Sequence, residues 1–157
     1  MYNVIMSAEQ LYRLVWMSRP LMQAAEAAVE NGLAGTDLTV RMRAVLEILR
    51  AEGDLTVPDL ATRLQINRQY VQLMVNETLA SGFTERSRNP RHKRSPLLTL
   101  TDKGRALIDR VIAREMDIMR IVAAEIPDQD IATALAVIEA VTSELKARNK
   151  PGKGEEE

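Results

Sequence analysis

The chain has no cysteine in its 157 residues. Disulfides, thiolate metal sites and a cysteine redox switch are therefore excluded. Aromatic residues make up only 3% of the chain, and the 46% apolar content comes mainly from Ala, Leu, Val, Ile and Met. That palette favours helix over sheet. His92 is the only histidine, so the usual His/Cys metal sets cannot form, and the carboxylates follow no metal-binding motif. No apolar run approaches the roughly 18 residues that span a bilayer. The first ten residues lack the basic start and unbroken apolar stretch of a secretory signal. Catalytic signatures are missing too: there is no Gly-rich phosphate loop, no His-Glu-x-x-His and no Ser in a nucleophile-elbow context. The expectation is a soluble, cytoplasmic, mainly α protein that is not an enzyme and needs no cofactor or metal.

What is present is an imbalance of charge along the chain. The formal net charge is −1, yet the segment from Arg86 to Pro96 carries four Arg, one Lys and no acid. Like charges gathered without a nearby acid repel one another, which favours an anionic partner over an empty loop. The segment follows a helical stretch ending at Ser81-Gly82-Phe83 and precedes the apolar run Leu97-Leu98-Thr99-Leu100. Phe83–Arg86 and Leu97–Leu100 therefore read as two short strands with a cationic tip between them.

Upstream, apolar periodicity gives a helix from Ala8 to about Asn31, interrupted at Pro20, where Ser18 would cap a second helix. Asn31-Gly32 would stop it. Leu38–Ala51 is a compact amphipathic helix. Leu55-Thr56 forms a short strand or link, and Thr56 with Asp59 matches a capping box opening a short helix with Leu60, Ala61 and Leu64 inside. Asn67 caps the next helix, which runs to about Ser81 with Val71, Met74, Val75 and Leu79 inside. Two helices separated by a tight turn, the second polar on its outer face, form a helix-turn-helix. Thr101 caps a long helix reaching Glu125, broken by Ile126-Pro127-Asp128, and a last helix runs from Asp128 to Arg148. Asn149–Glu157 reads as a disordered tail.

The outer face of the Asn67–Ser81 helix presents Asn67, Arg68, Gln69, Gln72 and Asn76. Arg pairs with guanine and Gln or Asn with adenine on major-groove edges, and the N-terminal end of such a helix meets the bases. An ordinary solvated helix face would look the same, so the basic tip is needed to separate the two readings. Its Arg88, Arg91, Lys93 and Arg94 suit phosphates or a narrow minor groove, with Arg86 and Arg88 nearer the strand and partly structural. Tyr12, Trp16, Met17 and Met22 cluster on the N-terminal helices. Core packing explains them, and so does an apolar ligand pocket. The apolar stripes of the two termini have no obvious partner within a small winged domain, which points to a homodimer.

The stretch from Leu38 to Gly104 resembles the MarR family of winged helix-turn-helix transcriptional regulators. Leu46, Leu49, Thr56-x-x-Asp-Leu-Ala61, Leu64, Val71, Gly82 and Arg86 carry the resemblance, with the wing exit Leu100-Thr-Asp-Lys-Gly104. It implies a homodimer that represses, or sometimes activates, nearby genes, and in many members a small aromatic or phenolic effector releases the DNA. The implied organisation is a dimerisation segment at 1–37, a DNA-binding domain at 38–101, dimerisation helices at 102–148 and a tail at 149–157. His92 stands where the family has an Asp that braces the wing arginine, here Arg94, and Thr78 stands where Leu is usual. The alternative is a winged helix that docks a protein partner without reading DNA.

Overall fold

The computed structural model describes residues 2–149, with side chains from residue 7 onward. The disordered-tail expectation for 150–157 lies outside the described residues. Six helices and one hairpin follow in order: α1 (Tyr2–Leu33), α2 (Val40–Glu52), α3 (Val57–Leu64), α4 (Arg68–Ala80), β1 (Thr84–Ser87), β2 (Leu97–Leu100), α5 (Asp102–Ala123) and α6 (Asp128–Arg148). The chain divides into two compact units between Glu115 and Met116.

In the first unit, α2, α3, α4, the hairpin and the first half of α5 enclose the core. Val45, Leu46, Leu60, Val71 and Ile108 are fully enclosed, with Phe83 between them and Leu98. Leu107, Ile108 and Val111 place the start of α5 inside this core. Only the end of α1 joins it, through Leu33 and the half-buried Val29.

Local chemistry accounts for these elements. Thr56 Oγ1 accepts from Asp59 N–H (3.3 Å) while the Asp59 carboxylate accepts from Thr56 N–H (3.0 Å) and its hydroxyl (2.6 Å), closing the capping box of α3. Those donors, chiefly the hydroxyl, hold the Asp59 carboxyl below the usual carboxylate range. Asn67 Oδ1 accepts from Tyr70 N–H (2.8 Å) and starts α4. β1 and β2 pair antiparallel from Thr84↔Leu100 to Ser87↔Leu97. Leu55 adds a third short strand contact, its N–H donating to Leu98 (3.3 Å) and its carbonyl accepting from it (2.8 Å).

The Leu-Thr-x-x-Gly exit has a steric cause. Thr101 Oγ1 donates to Gly82 O (2.7 Å) and accepts from Gly104 N–H (3.0 Å), so the first turn of α5 rests on the Gly82–Phe83 backbone. A Cβ on Gly104 would stand 2.0 Å from Phe83 O.

Two expectations are corrected. α1 is one helix through Pro20, not two helices meeting there. Ser18 does not cap anything; its hydroxyl donates to Val15 O (2.5 Å) within the helix. The missing Pro20 N–H leaves the Trp16 carbonyl without its helical donor, on a stretch of helix whose residues are exposed to water. The stop also lies beyond Asn31-Gly32: Gly35, at φ 77°, makes the turn after Leu33, because that conformation costs glycine little. α1 also begins at Tyr2, six residues before the expected Ala8; the other bounds fall within two residues of expectation, with β1 displaced by one so that Phe83 precedes it in the core.

In the second unit, α6 buries no residue, and Leu135, Ile138 and Leu145 are exposed along it. No described helix is long and apolar enough to cross a membrane.

Candidate nucleic-acid interface

Two elements of the first unit set the site. α4 presents its inner face, Val71, Met74, Val75 and Thr78, to the core, which turns the opposite ridge outward. The hairpin then projects its loop beside the start of α4. Between them lies a cleft of about 520 Å3 lined by Arg68, Gln69, Gln72, Arg86 and Arg94, with Val57 and Pro58 of α3 along another side. Three arginines border this cleft, beside apolar residues that include Val75, Leu97 and Leu98, and no acidic residue does. An anion is the complement such a lining calls for.

The pairing of charges sharpens the contrast. Four arginines of this unit have acid partners, Arg43 with Glu115 and Glu47, Arg50 with Asp109, Arg63 with Glu52, and Arg41 with Glu77, while Arg13, Arg19, Arg105, Arg110 and Arg114 have no ion pair among the described residues. The Tyr70 hydroxyl and then Glu77 raise the Arg41 guanidinium above its ordinary value. None of Arg68, Arg86, Arg88, Arg91, Lys93 and Arg94 has an ion pair among the described residues.

Asn89 shapes the loop that carries the wing cations. It is buried inside the tip, where its Nδ2 donates to Ser95 O (2.8 Å) and its Oδ1 accepts from Arg91 N–H (3.0 Å). Ser95 N–H donates to His92 O (3.1 Å). The buried amide thus ties both sides of the tip together and leaves the cationic ends outside.

Comparison with known proteins places this geometry. The MarR family model matches residues 34–95. An uncharacterised protein of Mycobacterium tuberculosis is 43% identical over 60 residues, 38% of this chain and 42% of that protein. The match thus spans less than half the length of this mycobacterial relative. The multiple antibiotic resistance protein MarR of Salmonella typhimurium is 30% identical over 100 residues, 64% of this chain and 67% of that protein. The crystal structure of a MarR family transcription regulator superposes with a TM-score of 0.84 at 33% identity, over 92% of this chain and 97% of that one. The chain belongs to the MarR family.

FabT of Streptococcus pneumoniae, crystallised with DNA, shares the fold at 17% identity and a TM-score of 0.76, over 88% of this chain and 99% of that one.

In this MarR family member the His92 side chain takes no part in holding the wing. His92 is exposed and makes no hydrogen bond or ion pair to Arg94; the buried Asn89 amide organises the loop. Thr78 is fully buried, with its hydroxyl donating to Val75 O (2.8 Å) and meeting Thr84 Oγ1 (2.8 Å).

The nine residues expected to touch DNA divide between two clefts and the surface outside them. Arg68, Gln69, Gln72 and Arg94 share the cleft. Gln72 Nε2 donates to Asn76 Oδ1 (2.9 Å), so those two amides act as a pair. Asn67 has its oxygen committed to the cap. Arg91 borders a second cleft, of about 700 Å3, with His92, Asp54, Asp59 and Arg63. Arg88 and Lys93 are exposed and border neither of these clefts.

Arg86 belongs with the cleft residues, although its place near a strand suggests a structural role. Its alternation with Glu85 and Ser87 on β1 is the signal that would have found it. Tyr12, Trp16, Met17 and Met22 are exposed on α1, with Tyr12 and Trp16 rings 6.0 Å apart, so core packing within the chain does not explain them.

Proposed function

We propose that the protein is a sequence-specific DNA-binding transcriptional regulator that works as a homodimer, in the simplest case as a repressor. One observation carries this reading: Arg68, Arg86 and Arg94 converge with Gln69 and Gln72 on a single acid-free cleft between α4 and the wing. Phosphates would lie along the cleft and the exposed wing cations Arg88, Arg91 and Lys93, while the outer ridge of α4 enters the major groove. The DNA-bound relative of the same fold supports the placement.

Dimerisation is supported by the apolar residues left uncovered within each unit: Leu11, Leu14 and Leu21 on α1, and Leu135, Ile138 and Leu145 on α6. Two copies would cover these stripes and set two recognition helices about one DNA turn apart. Tyr12, Trp16, Met17 and Met22 on α1 would then wall a site for a small aromatic or apolar effector.

Fluorescence anisotropy on a duplex selected from random DNA tests the reading. Contact with about six to ten phosphates predicts a loss of affinity of about 1,000- to 100,000-fold between 50 and 200 mM salt. A loss of less than tenfold, or capture of an acidic protein that survives nuclease treatment with no DNA selected, overturns it.

A further inference from the structure

Leu73 stands 57% exposed on α4, four residues after Gln69 and three before Asn76. This spacing puts the three side chains on one ridge. The ridge lies opposite Val71, Met74, Val75 and Thr78, all buried, so it is the outermost line of the helix. Gln69 also borders the cleft, together with Arg68 and Gln72 and with Arg86 and Arg94 of the wing, whereas Leu73 and Asn76 do not. The centre of the groove-facing ridge is therefore an apolar side chain between two amides. Scattered surface leucines are common; one at the middle of a readout ridge has a narrower set of partners.

We propose that Leu73 is a specificity-determining residue that selects thymine in each half-site through its C5 methyl group. The inference rests on the DNA-binding reading above. Among base edges in the major groove, the thymine C5 methyl is the one apolar group that projects; guanine and adenine offer acceptors and donors there, and cytosine a bare C5–H beside its N4 donor. Leu73 has no hydrogen-bonding group, so set against a guanine or cytosine edge it would strip water from a polar atom and return nothing. Against a thymine methyl it removes apolar surface from water on both sides. Tyr70, three residues earlier and 40% exposed, continues the apolar strip toward the start of the helix.

Deoxyuridine differs from thymidine at this edge only by the methyl group, which makes it the direct probe. The full-length chain selects a duplex from random DNA, and each thymine of each half-site is then replaced by deoxyuridine. With the wild-type chain, replacement at one position per half-site is expected to weaken binding about fourfold, the equivalent of one buried methyl group, and replacements elsewhere to have smaller effects. Leu73→Ala is expected to abolish the discrimination at that position alone and to keep the salt dependence, because its phosphate contacts are intact. Leu73 is 57% exposed and lies outside the core cluster, and an unchanged melting profile confirms that the variant is folded. Equal affinity for thymine and deoxyuridine at every position, or an undiminished ratio in Leu73→Ala, overturns the assignment while leaving DNA binding in place. Failure of the wild-type chain to select any duplex overturns both this inference and the function on which it rests.

Discussion

The buried pair Thr78 and Thr84 yields an asymmetric prediction. Thr78 Oγ1 donates its one proton to Val75 O at 2.8 Å, so in its 2.8 Å contact with Thr84 Oγ1 it must accept. Thr84 supplies that proton, is 3% exposed, and its hydroxyl makes no other side-chain hydrogen bond among the described residues. Thr78→Val keeps the shape but leaves the Thr84 hydroxyl as a buried donor without an acceptor, a cost of about 1–3 kcal/mol. Thr84→Val removes one bond but orphans no donor, since Thr78 still reaches Val75, and costs about 0.5–1.5 kcal/mol. With both replaced, the orphan is gone, and the double variant loses less than the sum of the two singles by about 1 kcal/mol. In a chain of this size each kcal/mol moves Tm by about 2–4 °C. Urea and thermal unfolding of all four proteins at one matched concentration, followed by circular dichroism, measures the cycle. A Thr84→Val cost equal to or above that of Thr78→Val, or strict additivity, refutes the proton assignment.

Two further outcomes follow from close contacts. Gly104→Ala sets a Cβ 2.0 Å from the Phe83 carbonyl, a backbone atom that cannot swing aside; a loss of about 3 kcal/mol is expected, read as a Tm drop, and an unchanged Tm would sink the steric account. Asn89→Ala unties the wing tip at Ser95 O and Arg91 N–H, and each loop residue that DNA must then re-order costs about 1 kcal/mol, so anisotropy should show about tenfold or greater weakening on every sequence with base preference unchanged.

How much of this was legible in the sequence depends on whether the signal was local. The capping box at Thr56 and Asp59, the Asn67 cap and the span Asp128–Arg148 follow from residues within a turn of one another, and all three stand as expected. Pro20 misled because a local rule for helix breaking met a helix exposed enough to leave one carbonyl to water. The candidate site was legible as two parts, a polar helix and a basic tip, but not in its division. Which of Arg68, Gln72, Arg86 and Arg94 face one cleft depends on the position of the hairpin against α4, set by Phe83, Leu98 and Gly104 across a sequence gap. Asn89 was hidden for a different reason. A polar residue in a basic loop reads as solvent-facing, and only the folded tip shows its amide spanning the loop from inside.

The departure at His92 is best understood through that amide. An Asp at this place would brace Arg94 and also cancel one of the wing charges. Asn89 fixes the loop through main-chain atoms and cancels none. The wing therefore keeps all of its cations unpaired, while Arg43 and Arg50 of α2 and Arg63 of α3 are tied to Glu115, Asp109 and Glu52. Between Arg86 and Arg94 a chain of net charge −1 thus carries five cations, none of them in an ion pair among the described residues. Charges already matched within the fold add little to an encounter with a polyanion, whereas unmatched ones contribute to both the rate and the salt dependence of binding. Restoring an acid with His92→Asp should then trade affinity for rigidity: a shallower salt dependence of DNA binding, because one wing cation per copy is matched internally, with the half-site sequence unchanged. A steeper salt dependence in that variant would show that the charge at this position, and not its effect on Arg94, governs the wing.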